Sequence, residues 1–191
     1  MLALNSDGTL EQWGDASFGG NNINSFQSLT NVTAIFSNGY AYAAKKNDNS
    51  LVVWGVEDSG GENSIYNFGT LQVPSINLTN ISTVVHNQFS FMAIKSDGSL
   101  VGWGDRENGA RVQLDLYSNQ NVPSDTVFTH IYASGTSYAA RTNTNRVYHW
   151  GGIGVIKGIS ASANPTQSNN YIDNVTDVKT TEKAFAALLT N

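Results

Sequence analysis

Three histidines are the first candidates in this sequence for acid–base or metal chemistry. They are His86, His130 and His149, and neither an HExxH nor an HxH spacing joins any of them. Zinc sites and general bases need side chains that converge on one point. These histidines occupy three different places in the internal repeat described below, so convergence is not expected. We predict surface or interface histidines and no metal site.

Carboxylates gather in the segments that follow the Trp-Gly pairs of the sequence. The set is Asp15, Glu57, Asp58, Asp105, Glu107 and Asp115. Glycoside hydrolysis requires two carboxyl groups at a defined separation, and calcium loops of the D-x-D-x-D-G type require closely spaced oxygens. The spacing shows neither pattern, and no G-x-S-x-G, phosphate-binding or dinucleotide-binding fingerprint occurs. We interpret the carboxylates as solvated loop charge and predict no catalytic residue and no cofactor.

The charge and composition of the chain argue against two classes of partner, nucleic acids and membranes. The net charge is −5 and the pI is near 5.0, and the basic residues form no cluster that would neutralise nucleic-acid phosphates. No apolar run reaches the roughly 18 residues of a membrane-spanning helix. The first residues also lack the basic start and apolar core of a secretory signal. We predict neither nucleic-acid binding nor membrane insertion.

The compartment is not assigned by the sequence. Cysteine is absent, so the redox environment cannot be inferred from disulfides. Richness in Asn, Ser and Thr leans towards an extracellular or cell-surface location as part of a longer protein.

An internal repeat organises the chain. Its most visible markers are Trp-Gly pairs that begin 41, 49 and 47 residues apart, at Trp13, Trp54, Trp103 and Trp150. Each pair ends a short β-type stretch, which follows a hairpin signal such as the SDG at 96–98. Upstream lie an aromatic- and alanine-rich strand and another short strand, both with a period of two. This spacing is typical of β-propeller blades.

The turns of the repeat carry their own expectations. The hairpin signals predict type I′ turns, in which both central residues take positive φ. Three Asn-x-Ser/Thr sequons begin at equivalent repeat positions, Asn31, Asn80 and Asn174, and a fourth begins at Asn77. Such sequons carry glycans in secreted eukaryotic proteins. We interpret them instead as turn residues that precede β-branched strands.

The fullest copy of the repeat reads FMAIKSDGSLVGWG, from Phe91 to Gly104. This pattern resembles the repeat of the regulator of chromosome condensation family, and the resemblance covers essentially the whole chain in four copies. It implies an all-β fold, a β-propeller of tandem four-stranded antiparallel blades, with about four blades in this chain. The family continues after Trp-Gly with Asn and Gly-Gln-Leu-Gly, whereas copies here read GDASFGGN or GDRENGARV. We therefore carry over no functional residue from the family.

The aligned copies predict a single repeat array over residues 1–191. The approximate units are 1–31, 32–80, 81–126 and 127–174, with the start of a fifth at 175–191. The final strand, FAALLTN, repeats the position of the opening MLALNSD, so the two would compete for one place in a ring closed within the chain. Two interpretations stay open: a segment of a longer propeller, or a homodimer in which each copy completes the other's split blade.

A rigid ring that carries variable loops suits a protein-binding scaffold. We predict this function, without catalysis, and place the contacts in the variable segments 56–78, 105–126 and 152–173. The residues expected to contact the partner are Tyr66, Phe68, Asp105, Arg106, Tyr117 and Tyr171.

Two further hypotheses belong to other functional classes. One is a structural or adhesive segment of a larger surface protein, and the other is a hydrolase or lyase with a site at the propeller mouth. The family resemblance implies roles as different as nucleotide exchange on the GTPase Ran, chromatin binding and β-lactamase inhibition, so the repeat alone does not choose the partner. The acidic balance fits Ran exchange and chromatin binding poorly.

Overall fold

The computed structural model describes residues 1–18, 29–62, 65–67, 70–73, 75–112, 122–152 and 171–190. These residues form an all-β structure with sixteen strands in five small sheets. Each sheet contains the successive strands of one repeat unit, and the third sheet also takes two strands from the loop of the unit before it. We number the sheets as blades 1 to 5 along the chain.

The strands follow one another in chain order. They are β1 (Leu2–Leu4), β2 (Leu10–Gln12), β3 (Val32–Ser37), β4 (Ala41–Lys46), β5 (Leu51–Gly55), β6 (Ile65–Asn67), β7 (Thr70–Val73), β8 (Ile81–His86), β9 (Ser90–Lys95), β10 (Leu100–Asp105), β11 (Phe128–Ala133), β12 (Ser137–Thr142), β13 (Val147–Gly151), β14 (Tyr171–Ile172), β15 (Val175–Thr180) and β16 (Phe185–Leu189). Short helical turns occur at Ala16–Phe18, Glu57–Ser59 and Arg106–Ala110.

The blades differ in strand number. Blade 1 pairs β1 with β2, blade 2 runs β3-β4-β5, blade 4 runs β11-β12-β13-β14 and blade 5 pairs β15 with β16. Blade 3 runs β7-β6-β10-β9-β8, and its β6 pairs with β10 in parallel. This pairing departs from the predicted all-antiparallel blades. Its cause is that β6 comes from the loop of the preceding blade rather than from a hairpin with β10.

The hydrophobic core lies between the blades. The first strands of successive blades contact one another, β3 with β8, β8 with β11 and β11 with β15, and so line the inner side of the array. Each of the four apolar clusters draws residues from two neighbouring blades. One cluster, for example, joins Ala41 of blade 2 to Phe91 and Trp103 of blade 3. Burial of these side chains therefore holds one blade against the next.

A β-bulge recurs at the second residue of the first strand. The pairing shifts register there in blades 2 to 5, and the position holds Thr33, Ser82, Thr129 or Thr176. The three threonine hydroxyls donate to carbonyls of the second strand at 3.0–3.2 Å. Local hydroxyl bonding of this kind offers the backbone an alternative partner where the ladder is broken.

Backbone hydrogen bonds join each hairpin to the next blade. The first residue of a first strand donates its N–H to the preceding hairpin at 2.8–3.1 Å, as in Ile81 to Asn49 and Val175 to Asn145. The residue before the strand has a positive φ at Asn31, Asn80 and Asn174. Asn tolerates this left-handed region better than most residues. The structure thus confirms that these three sequons supply turn residues.

The hairpins between the second and third strands differ from the predicted type I′ turns. One residue in each turn has a positive φ, namely Gly8, Asn49, Gly98 or Asn145, and the preceding Asp or Thr does not. A hairpin of this length commonly ends in a single left-handed residue that forms a bulge. The Asp at the earlier position has a different task, since Asp48 accepts hydrogen bonds from the Ser50 amide and hydroxyl at 2.9 and 2.6 Å.

These hairpin aspartates are expected to make the stability of the fold sensitive to acid. Hydroxyl and amide donors, from Thr9, Ser50 and Ser99, hold the pKa values of Asp7, Asp48 and Asp97 below the ordinary 3.8. The resulting stabilisation is complete above the unfolded pKa and is lost as pH falls through the lower folded pKa values. Urea unfolding between pH 6 and 2 is expected to show a falling midpoint. The triple Asp→Asn variant keeps an acceptor and should flatten that fall; an unchanged slope would contradict the assignment.

The terminal blades expose residues whose repeat equivalents are buried. Trp13 is 46% exposed, whereas Trp54, Trp103 and Trp150 are at most 4% exposed. Leu188 is 65% exposed, and its equivalent in blade 3, Ile94, is 5% exposed. The terminal blades therefore present surfaces of the kind that elsewhere in this chain pack against another blade. The homodimer in which each copy completes the other's split blade stays a prediction.

Candidate partner-binding face

The turns between first and second strands lie on the same side of the array as the segments after Trp-Gly. In blade 2, Asn38 donates its side-chain amide to the Ser59 carbonyl at 2.8 Å, and the Val56 amide donates to the Tyr40 carbonyl at 3.0 Å. The Asn38 carbonyl oxygen also accepts from two amides of its own turn. One asparagine therefore shapes the turn and attaches the following loop to it.

Blade 3 repeats this arrangement with Asn87. Its amide donates to the Asn108 carbonyl at 2.6 Å, and its oxygen accepts from Phe89 and Ser90. The Asp105 amide donates to the Phe89 carbonyl at 3.1 Å. We call the surface on this side of the array the loop face. It is formed by the turns 37–40, 86–89 and 134–136 and by the segments 15–18, 56–62 and 105–112. The hairpins 5–9, 46–50, 95–99 and 142–146 form the opposite hairpin face.

A hollow of about 420 Å³ opens between the turns of three blades. Its lining comes from residues 37–39 of blade 2, residues 86–88 of blade 3 and Ser134 of blade 4. Gln88 and His86 are exposed at its edge, and the backbone N–H of Gln88 donates across the blades to the Gly135 carbonyl at 3.1 Å. The hollow offers amide, hydroxyl and imidazole groups and suits a polar partner group.

The structure places two predicted contact residues, Asp105 and Arg106, on the loop face, where both are half-buried. Asp105 accepts from the Asn108 amide and side chain, each at 3.0 Å, and so shapes its own loop. The Arg106 guanidinium lies 3.4 Å from the Glu107 carboxylate.

The sequence predicts four aromatic contact residues in the same loop face, namely Tyr66, Phe68, Tyr117 and Tyr171. The backbone of Tyr66 is paired opposite Asp105, whereas Phe68 and Tyr117 lie outside the described residues. Tyr171 pairs with Tyr148 on the outer edge of blade 4, nearer the hairpin face. The structure therefore separates Tyr171 from Asp105 and Arg106, and its role in partner contact stays a prediction.

The three histidines are dispersed. His86 borders the hollow, while His130 lies on the first strand of blade 4, with its pKa lowered by burial and by the nearby Arg141 charge. His149 lies on β13, and burial lowers its pKa also. Among the described residues, no group of three or more His, Asp or Glu side chains is placed to hold a metal ion.

Sequence reasoning missed the residues that build the loop face. Asn38 and Asn87 occupy one repeat position, in SNGYAY and HNQFSF, so the aligned copies contained this signal. Tyr40 and Phe89 follow them by two residues. The predicted contacts lie in the long loops, whereas these residues lie in short turns.

Comparisons with known proteins were made by sequence and by structure. No family model matches the sequence, and no curated protein matches it. Among solved structures, Prp20p from Saccharomyces cerevisiae matches with a TM-score of 0.51 at 19% identity, covering 78% of this chain and 42% of Prp20p. Yeast RCC1 (Prp20) bound to Kap60 matches with a TM-score of 0.55 at 14% identity, covering 86% and 43%.

This chain has the RCC1-type β-propeller fold. The structure of human WBSCR16 agrees, with a TM-score of 0.51 at 17% identity over 78% of this chain and 44% of the other. The family resemblance inferred from the repeat and the predicted fold class are both confirmed. The chain spans less than half the length of each of these structures. Among its described residues, none forms a helix long and apolar enough to cross a bilayer.

The two yeast structures concern a protein that binds other proteins. Prp20p was described with its binding to Gsp1p and histones, and its other structure holds Kap60. At these identities the similarity extends to the fold and not to the binding residues.

Proposed function

We propose that this chain is a protein-binding propeller scaffold that recognises its partner through the loop face and performs no catalysis of its own. The observation that carries the proposal is the attachment of dissimilar loops to equivalent turns by Asn38 and Asn87. A frame of this kind holds different loop sequences in fixed positions, which is how rigid scaffolds commonly display binding residues.

The polar hollow supports the same proposal. It lies where the turns of three blades meet, so a partner group that enters it would contact several repeats at once. The predicted contacts Asp105 and Arg106 belong to the loop face, and we retain them, with Tyr66, Phe68 and Tyr117, as proposed partner contacts. Tyr171 would serve a separate edge contact. We also retain residues 1–191 as a single repeat array.

The proposal predicts that partner capture depends on one face of the array. Immobilised chain is incubated with a lysate of its source cells, and retained proteins are quantified by mass spectrometry. The double variant His86→Ala, Gln88→Ala changes exposed side chains at the hollow and is expected to lower retention of specific partners at least tenfold, the loss of about 1.4 kcal/mol of binding free energy.

The matched control is Ser6→Ala, Asn143→Ala, which changes two exposed side chains on the hairpin face. It should retain the same proteins as the unchanged chain. Equal retention by both double variants, or a loss confined to the control, would place the partner elsewhere and refute the proposal.

A further inference from the structure

Three aromatic rings form a row across the loop face. The Phe18 and Tyr40 ring centroids are 5.9 Å apart, and those of Tyr40 and Phe89 are 5.5 Å apart with an interplanar angle of 19°. The rings come from blades 1, 2 and 3. Phe18 is 44% exposed, and Tyr40 and Phe89 are half-buried. We call these three residues the aromatic row.

The aromatic row differs from the aromatic pairs of the core. Phe91 stacks on Trp103 at 5.2 Å, and both rings are fully buried between blades. The row instead lies on the surface beside the polar hollow, because Tyr40 and Phe89 belong to the turns that line it. Accessible aromatic rings supply contact area at a small cost in side-chain entropy, and aromatic residues are enriched at interfaces.

Carboxylates accompany each ring of the row. Asp15 begins the turn that ends at Phe18 and accepts from the Ser17 amide. The hydrogen bond between the Val56 amide and the Tyr40 carbonyl places Glu57 and Asp58 in the segment beside Tyr40. Asp105 is joined to Phe89 in the same manner. The surroundings of the row are therefore acidic, and Arg106 there is paired with Glu107.

One contact within the chain combines an arginine, an aromatic ring and a carboxylate. In blade 4, the Arg146 guanidinium lies 3.9 Å from the centre of the Tyr171 ring, and its Nε lies 2.8 Å from the Asp173 carboxylate. A planar guanidinium stacks on an aromatic face and uses its N–H groups on a carboxylate at the same time. The aromatic row offers the same two elements, rings and carboxylates, on three successive blades.

We propose that the aromatic row binds an extended, arginine-bearing segment of the partner protein. The arginine side chains pack against the accessible parts of the rings of Phe18, Tyr40 and Phe89, and carboxylates such as Glu57 neutralise their charge. Lysine fits less well, because its ammonium is a compact, strongly hydrated charge without a planar face. This inference rests on the proposed function and names the chemistry of the partner segment.

The test uses fluorescein-labelled peptides of eight residues in which glycine alternates with arginine, and measures fluorescence anisotropy with the full chain. Matched peptides carry lysine, citrulline or glutamate in place of arginine. The arginine peptide is expected to bind at least threefold more tightly than the lysine peptide, and the neutral citrulline and acidic peptides at least tenfold more weakly than the arginine peptide. Raising the salt concentration should weaken the arginine peptide, because exposed charges are screened.

Variants locate the binding on the chain. Tyr40→Ala and Phe18→Ala should each weaken binding of the arginine peptide about five- to tenfold, because each removes a ring that attracts the guanidinium charge. Tyr40→Phe should preserve affinity, since the ring and not the hydroxyl makes the contact. Leu188→Ala removes an exposed apolar side chain on β16 and is the control for loss of apolar surface. Glu57→Gln should weaken binding, whereas Glu11→Gln, at an exposed position on β2, should not.

Each outcome decides the inference. Equal affinity of the citrulline peptide would show recognition of a neutral chain and overturn the role of arginine. Binding that Tyr40→Ala and Phe18→Ala leave unchanged, with near-ultraviolet circular dichroism confirming their folds, would overturn the role of the row. If no arginine peptide binds while lysate capture still depends on His86 and Gln88, the inference fails and the proposed function stands. If partner capture from the lysate does not depend on His86 and Gln88 of the loop face, the proposed function fails, whatever the peptide measurements show.

Discussion

Replacing Gly60 with alanine is expected to lower the free energy of unfolding by about 3 kcal/mol, the sum of a left-handed backbone cost and overpacking. Gly60 has a φ of +99°, and an added Cβ would lie 2.5 Å from Cδ2 of Phe91 in the next blade. Phe91 is fully buried and stacked on Trp103, so its ring cannot move aside without disturbing the interface between blades 2 and 3.

The measurement is equilibrium unfolding in urea with tryptophan fluorescence as the signal. Gly39→Ala is the matched control, since its φ is not in the left-handed region and an added Cβ meets no atom within 4 Å. It should change the unfolding free energy by less than about 0.5 kcal/mol. Similar losses for both variants would contradict the assignment of Gly60 as a close contact between blades. Gly109 lies against Tyr138 in the same way and should behave as Gly60 does.

Tyr138→Phe is the second variant with a large expected effect, a loss of about 2 kcal/mol from the removal of several buried hydrogen bonds. The Tyr138 hydroxyl is fully buried, donates to the Ser90 carbonyl at 2.7 Å and accepts from the backbone N–H of Asn87 at 3.1 Å. Burial raises the pKa of this hydroxyl far above its ordinary value, so it remains a donor throughout the usual pH range. The bond joins blade 4 to the turn of blade 3.

Tyr42→Phe is the control for this change, because Tyr42 occupies the equivalent repeat position in blade 2. Its ring stacks on Trp54 at 5.4 Å, and its hydroxyl has no hydrogen-bond partner within the described part of the chain. Urea unfolding should show little change for Tyr42→Phe. A loss at Tyr138 no larger than that at Tyr42 would mean that the buried hydroxyl adds no net stability.

The pattern of blades was predictable from sequence because its signals are local. Alternating apolar residues and Trp-Gly pairs such as Trp103-Gly104 mark strands within a few residues of each other. The sequence also shows that the contact between Tyr138 and Ser90 is not repeated between blades 2 and 3. There, Phe91 stands at the tyrosine position and Ala41 at the serine position. The paired replacement removes both hydroxyls, which lie 3.0 Å apart in Tyr138 and Ser90.

Other features depend on contacts between distant segments and could not be read from the repeat. The parallel pairing of β6 with β10 is set by how blades 2 and 3 lie against each other. The aromatic row was not predicted because Phe18 and Tyr40 hold different repeat positions and come into contact only across a blade boundary. Asp105 was predicted as a contact from its loop position, but its oxygen is used by Asn108.

The placement of the apolar clusters between blades bears on how this chain reaches its native state. A single repeat keeps its sheet hydrogen bonds but lacks the neighbour against which Trp103 or Tyr138 is buried. The smallest segment that can form a dry interior is therefore a pair of adjacent repeats, and in nearest-neighbour descriptions of repeat proteins such coupling makes folding spread from one pair to the next. The segment copied along the sequence is therefore one repeat, whereas the smallest segment expected to fold cooperatively is two repeats.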